Sequence, residues 1–297
     1  MYVRKKILLV TSGDLRLDAN QVGWKFQEKM EKQLETTLNE FGYQVLRGHS
    51  YDSSKKHGFI DSQKMGMEVF KSLDPTLPII VAESVWQYTH HVLPGLMTHK
   101  GPILTLANWE GMSSGLVGML NLNGSLTKAE ATYSTLWSND FQDDFFKEKL
   151  AEWLKTGVIQ HDDSHVQYFD SIEISDSIRV SAKDFTRDFL KNKAIMGVFD
   201  EGCMGMFNAI VPDKLLNKLG IFKERLSQSA LYAEMLSVGQ SEAQSVLNWL
   251  LEKGMTFNWG TNPAIELTKE QTLEQCRMYI AAMRISAQYG CDTIGIQ

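Results

Sequence analysis

Cysteine is scarce in this chain, and long apolar runs and any excess of basic charge are missing. Of 297 residues only Cys203, Cys276 and Cys291 are cysteines, too few and too odd a number for a disulfide framework. With no export signal, the sparse cysteines point to a reducing cytoplasm. No uninterrupted apolar stretch approaches the ~18–20 residues that span a bilayer, so no membrane helix is expected. Lys and Arg total 30 against 36 Asp and Glu, a net charge of −6 that argues against binding to a phosphate backbone. Phosphate-cradling loops are absent too: neither G-x-x-x-x-G-K-[ST] nor a strand-linked G-x-G-x-x-G occurs. At 43% hydrophobic and 22% charged, the composition is globular and excludes a disordered chain, a collagen and a coiled-coil rod.

What is present is alternation. Ile7–Val10 reads as a buried strand, and its run stops at Ser12-Gly13. Val22, Phe26, Met30, Leu34 and Leu38 then recur every four residues, predicting a long helix with one apolar stripe that Gly42 ends. Strands are expected at 43–46, 78–82, 102–107 and 133–137, with helices at 65–73, 116–126 and 141–155 between or after them. Strands alternating with helices imply a parallel, doubly wound sheet. A second strand–helix series begins at Ala194–Phe199, continues through helices near 213–219, 230–236, 241–253 and 268–289, and ends in a strand at 291–296. The fold class is therefore α/β: two successive Rossmann-like, doubly wound parallel-sheet domains, 1–157 and 158–297. Between the two series, 161–193 is polar and weakly periodic. Gln297 follows the last strand directly. That strand reads either as an edge or as part of a protein that continues, and the second reading is preferred.

Several constellations could carry chemistry. His161 and His165 stand four apart with Asp162 and Asp163 between them, a spacing that ligates a metal on a helix. The flanking Gly157, Val158 and Ile159 argue against a regular helix, and the alternative is a solvated loop. Cys203 in Gly202-Cys203-Met204-Gly205 lies beside Asp200 and Glu201, whose charge raises a thiol pKa, so a small buried residue is expected rather than a nucleophile. His90-His91 read as ordinary, partly buried histidines. Trp86, Trp109 and Trp137 each follow a strand, within Glu83-Ser84-Val85-Trp86, Asn108-Trp109-Glu110-Gly111 and Trp137-Ser138-Asn139-Asp140. Aromatic faces beside amides and carboxylates suit a carbohydrate, and ligands bind at the carboxyl ends of parallel strands. The alternative is that each indole fills a packing site.

The stretch from Ile195 to Phe222, with Phe199-Asp200-Glu201-Gly202-Cys203-Met204-Gly205-Met206 at its centre, resembles the L-fucose isomerase/L-arabinose isomerase superfamily. So do the exit segment Ala82–Trp86, the helix ending in Tyr279-Ile280-Ala281-Ala282, and the terminal Gly295-Ile296-Gln297. The shorter bacterial fucose-isomerase-like proteins are most similar, over their first two α/β domains. The resemblance implies an aldose–ketose isomerase that uses a divalent metal, commonly Mn²⁺, acts on a monosaccharide and assembles as a homo-oligomer with sites shared between subunits. Carried over by position, it implies substrate contacts at Arg16, Trp86, Met204 and Gln297. The family's metal-binding Glu, Asp and His belong to a third, catalytic C-terminal domain, for which this chain has no residues, so neither catalytic nor metal-binding residues are expected here. Isomerisation through an ene-diol needs an acid/base carboxylate and a metal, and Asp162-Asp163 and Asp200-Glu201 are neighbours whose side chains diverge in an extended segment. Glu201 leaves a strand end of the second domain, a position where ligands bind in parallel sheets. A non-catalytic carbohydrate-binding or scaffold protein of two Rossmann-like domains is the alternative, and a metal hydrolase built on His161 and His165 ranks below it.

Overall fold

The computed structural model describes residues 5–109, 111–202 and 204–296. The chain forms two compact units, one of residues up to 167 together with 204–210, the other of 168–202 and 211 onward. The division thus falls further along than Gly157, which caps a helix of the first unit instead.

In the first unit β1 (Lys5–Val10), β2 (Tyr43–Arg47), β3 (Ile79–Glu83), β4 (Ile103–Asn108) and β5 (Ser134–Ser138) form one parallel sheet in the order β2-β1-β3-β4-β5. Alternate strand residues feed opposite layers. Ile7, Leu9, Ile80, Ala82, Leu104 and Leu106 meet α1 (Leu17–Glu40) and α5 (Asp144–Thr156) through Met30, Leu34, Leu38, Phe146, Leu150 and Trp153. Leu8, Val10, Ile79, Val81 and Ile103 meet the other layer, where α2 (Gln63–Ser72) contributes Met65, Val69 and Phe70, α3 (Leu93–Thr98) Leu93 and Leu96, and α4 (Gly115–Lys128) Leu122 and Leu126. Because both faces are buried, the strands read as continuous apolar runs rather than as alternating ones.

The apolar stripe of α1 holds only in part. Met30, Leu34 and Leu38 are in the core, but Val22 is 66% exposed, and the buried positions of the first turns are Asn20, Gly23 and Gln27. These turns lie beside the strand ends rather than the sheet face.

The second unit opens with α6 (Asp176–Asn192), in the stretch whose sequence is weakly periodic; none of its residues is buried. Here β6 (Ala194–Phe199), β7 (Ile221–Leu226) and β8 (Thr293–Ile296) form a parallel sheet in the order β7-β6-β8. Strand β7 escaped the sequence reading because Lys223, Glu224 and Arg225 interrupt its apolar pattern. After the short α7 (Asp213–Asn217) come α8 (Gln228–Ser237), α9 (Gln240–Glu252) and α10 (Lys269–Tyr289). The core joins Phe199 and Leu226 to Leu231 of α8 and Ala281, Ala282 and Ile285 of α10. No helix among the described residues is long and apolar enough to cross a membrane.

Candidate functional site

The order β2-β1-β3-β4-β5 reverses direction between β1 and β3, so the loops leaving these two strands diverge to opposite faces and open a crevice at their carboxyl ends. A cleft of about 660 Å³ lies there, between the loop after β1, the first turns of α1, the loop after β3 and the start of α4. Its polar lining is Asp14, Arg16, Asp18, Asn20, Ser113 and Ser114; Val22, Phe26, Val85 and Trp86 supply apolar walls. Arg16 and Trp86, seventy positions apart in sequence, line the same hollow. The Val22 and Phe26 side chains that depart from the core stripe of α1 also line it.

Arg16 is held by a residue that the sequence reading passed over. Its Nε and Nη2 donate to the two carboxylate oxygens of Asp14 at 3.0 and 2.7 Å. Asp14 is buried while the guanidinium is 66% exposed, so the fork anchors the arginine from below and leaves its other donors toward solvent. Burial pushes the Asp14 carboxyl up, but the hydrogen bonds and charge of Arg16 outweigh it and leave the group below its ordinary value. Asn20 completes the loop: its Oδ1 accepts from the Asp14 N–H and its Nδ2 donates to the Asp14 carbonyl, both at 2.8 Å. The Asp-x-Arg spacing in a strand-exit loop is the signal that could have revealed this pair.

The floor beneath the cleft is polar and buried. Ser12, Gln27, Glu83, Ser84 and Gln87 are fully buried. Thr11 Oγ1, Glu83 Oε2, Ser84 Oγ, Asn108 Oδ1 and Ser113 Oγ have no hydrogen-bond partner in the protein. Such unmatched groups are uncommon in protein interiors, and here they gather at the ends of β1, β3 and β4. Gly115, the first residue of α4, rests directly on this floor. A Cβ there would lie 2.6 Å from the Glu83 carbonyl oxygen and 2.8 Å from the Ser84 Cα, so only glycine lets the helix begin so close to β3.

The three tryptophans part company. Trp86 lines the cleft. Trp109 lines a neighbouring hollow of about 510 Å³ with Gln33, Asn139 and Asp140, and Gly111 borders both hollows. Trp137 lies half-exposed on the edge strand β5 and lines neither.

Met204, carried over from the resemblance as a second-domain contact, belongs to the first unit, with its side chain 65% exposed. The segment it starts is tied down by the Thr89 N–H, which donates to the Gly205 carbonyl at 3.0 Å, and by Lys128 Nζ, which donates to the Phe207 carbonyl at 2.8 Å. Gln297 and Cys203 lie outside the described residues.

His161 and His165 are exposed on an irregular segment, with His161 Nε2 3.1 Å from the Thr135 carbonyl oxygen. His91 is buried, with Nδ1 3.1 Å from the Ile60 carbonyl oxygen, its ring stacked on Tyr88 and its pKa pushed down by burial. In the second unit Glu201 accepts from Lys223 Nζ through Oε1 and from Arg225 Nε through Oε2 at 3.0 Å, and these bonds hold its carboxyl below the ordinary value. Asp213 joins them through Arg225 at 2.9 Å. Among the described residues no three His, Cys, Asp or Glu side chains are grouped as ligands for a metal ion.

No protein-family model and no curated protein matches this sequence.

The chemistry within reach of the cleft is recognition. Arg16 presents donors to hydroxyl or carbonyl oxygens, Asp18, Ser113 and Ser114 offer partners for hydroxyls, and the Trp86 indole offers an apolar surface.

Proposed function

We propose that the first unit is a sugar-binding module and that the chain is the N-terminal, two-domain portion of a metal-dependent aldose–ketose isomerase acting on a sugar such as L-fucose or arabinose. On this reading both units are Rossmann-like, and the protein is a cytoplasmic homo-oligomer whose active sites are shared between subunits. One observation carries the reading: Arg16 and Trp86, the two first-domain positions matched through the resemblance, line one cleft at the switch point of a parallel sheet.

A free sugar offers a ring of hydroxyls around apolar C–H faces. Trp86 covers such a face and displaces water from it, and Arg16, held by Asp14, donates to oxygens at one end. Both groups orient, and neither removes a proton. Among the described residues the donor set does not fit a divalent cation, because Lys223 and Arg225 already occupy both oxygens of Glu201 and the acidic groups of the cleft are Asp18 and an Asp14 committed to Arg16. The role of these residues is to grip and shield the sugar.

Calorimetric titration with L-fucose, L-arabinose and the corresponding ketoses tests the reading, alongside an aldose–ketose assay with Mn²⁺. Saturable binding that Trp86→Ala weakens supports it. Binding that survives loss of both Arg16 and Trp86 would remove the cleft from the site.

A second reading, a non-catalytic carbohydrate-binding protein, draws on the hollow that Trp109 lines beside the cleft. Two aromatic hollows with a common border at Gly111 suit a ligand longer than one sugar ring. A disaccharide that binds more tightly than its monosaccharides, with the gain lost in Trp109→Ala, would favour that reading.

A further inference from the structure

Helix α6 is the least supported long element of the second unit. Phe189 is half-buried and every other one of its 17 residues is exposed, although a helix of this length draws most of its stability from burying one face. The face itself is there. Ile178, Ala182, Phe185 and Phe189 follow one another at steps of four, three and four, the seam by which one helix packs along another. Ile178 is 62% and Phe185 67% exposed, and the rings of Phe185 and Phe189 stack with centroids 5.5 Å apart.

Along one side of this seam runs a groove of about 520 Å³, walled by Ile178, Ala182 and Leu190 and, through Ile174, by the segment that precedes the helix. Phe185 does not line it and stands on the other side of the seam; Tyr168 lies outside it as well. Charge divides in the same way. At ~100° per residue, Arg179 and Lys183 fall on the groove side, and Asp184 and Asp188 fall on the side of Phe185. Arg187, on the outer face, donates to Oδ1 of Asp184 at 2.8 Å and to Oδ1 of Asp188 at 3.2 Å, so it engages one oxygen of each acid. Arg179 and Lys183 have no acidic partner among the described residues.

We propose that α6 is a self-association surface whose occupant is α6 of a second copy of this chain, the two helices running parallel about a twofold axis. Each copy's Phe185 then enters the other's groove, and each acidic side meets the other's basic side. Antiparallel pairing would instead set Arg179 and Lys183 against the same two cations of the other copy. A different protein would need only an apolar face. A projecting ring flanked by acids beside a groove flanked by bases is complementary to itself, which is why a second copy is the occupant. The inference names a surface for the homo-oligomer of the reading above and draws on nothing in the cleft, so it and the sugar assignment fail separately.

Sedimentation equilibrium of the whole chain tests it. The wild type should show a mass at least twice the 33.7 kDa of one chain. Phe185 belongs to neither core cluster of its unit, so Phe185→Asp should weaken association at least about tenfold while leaving the thermal melt close to wild type. A chain carrying Arg179→Glu and Lys183→Glu should fail to associate with itself, as should one carrying Asp184→Lys and Asp188→Lys. An equimolar mixture of these two should associate again, because each basic side now faces an acidic one. A wild type that stays monomeric hands this face to some other partner and overturns the proposal. So does association that survives Phe185→Asp, and so does a mixture of the two charge variants that remains monomeric.

Discussion

Arg16 and Asp14 form a two-pronged ion pair in which the acid is buried and the base faces the cleft. The usual weakness of an exposed pair is offset here, because one partner is already fixed by Asn20 and the loop backbone. Arg16→Ala is expected to weaken sugar binding about tenfold or more, and Asp14→Asn by less, since the guanidinium then remains but loses its orientation. Titration of the two variants checks the order. The sign in pH follows from the lowered Asp14 titration: the pair is intact above the ordinary carboxylate range and is lost as pH falls through the depressed value.

Trp86 and Trp137 are a matched test. Trp86→Ala removes an apolar wall of the cleft and should raise the dissociation constant for a sugar by about tenfold, while Trp137→Ala, outside both hollows, should leave it unchanged. Both indoles are partly exposed, so thermal melts of the two variants should stay close to wild type.

Acid should unfold the first unit through its histidines. Burial, and then the charge of Arg47, push His49 down to about 3, and burial lowers His57, His91 and His99 as well. The unfolded chain takes up protons below about pH 6.5, where the folded chain does not. Stability is therefore complete above that value and declines as pH falls toward 3. Melting temperatures from pH 7 to pH 4 measure the slope, and His49→Gln should flatten it.

Gly205 has φ +78°, and a Cβ there would sit 2.0 Å from Tyr88 Cδ1. Gly205→Ala combines a disfavoured backbone with a clash and should destabilise by about 2–3 kcal/mol, detaching residues 204–210 first. Protease accessibility of that segment, set against a denaturant melt, checks both parts.

Cleavage should separate the units near their division. Tyr168 is 87% and Phe169 70% exposed beside an irregular stretch, and chymotrypsin should cut there before cutting anywhere in α4, whose inner face is buried. Early fragments mapped by mass spectrometry decide this.

The strands of the first unit were readable because both faces of the sheet are buried, which turns Ile7–Val10, Ile79–Ala82 and Ile103–Ala107 into unbroken apolar runs. Gly157, with φ +80°, stops α5 where the residue type leads one to expect it. By itself the sequence also determined that charged and aromatic residues follow strand ends, since these are properties of neighbours along the chain. Which of them meet depended on strand order. Only the placement of β3 beside β1 brings Trp86 to Arg16, and only the outward position of Trp137 on an edge strand separates it from the other two indoles. Strand β7 was hidden because its charged residues are satisfied across the sheet, by Glu201 and Asp213, and no local pattern records such a partner. Glu83 was visible as a residue type, but its complete burial at the end of β3 was not. Burial depends on which elements pack over a strand end, and only the tertiary structure brings those elements together.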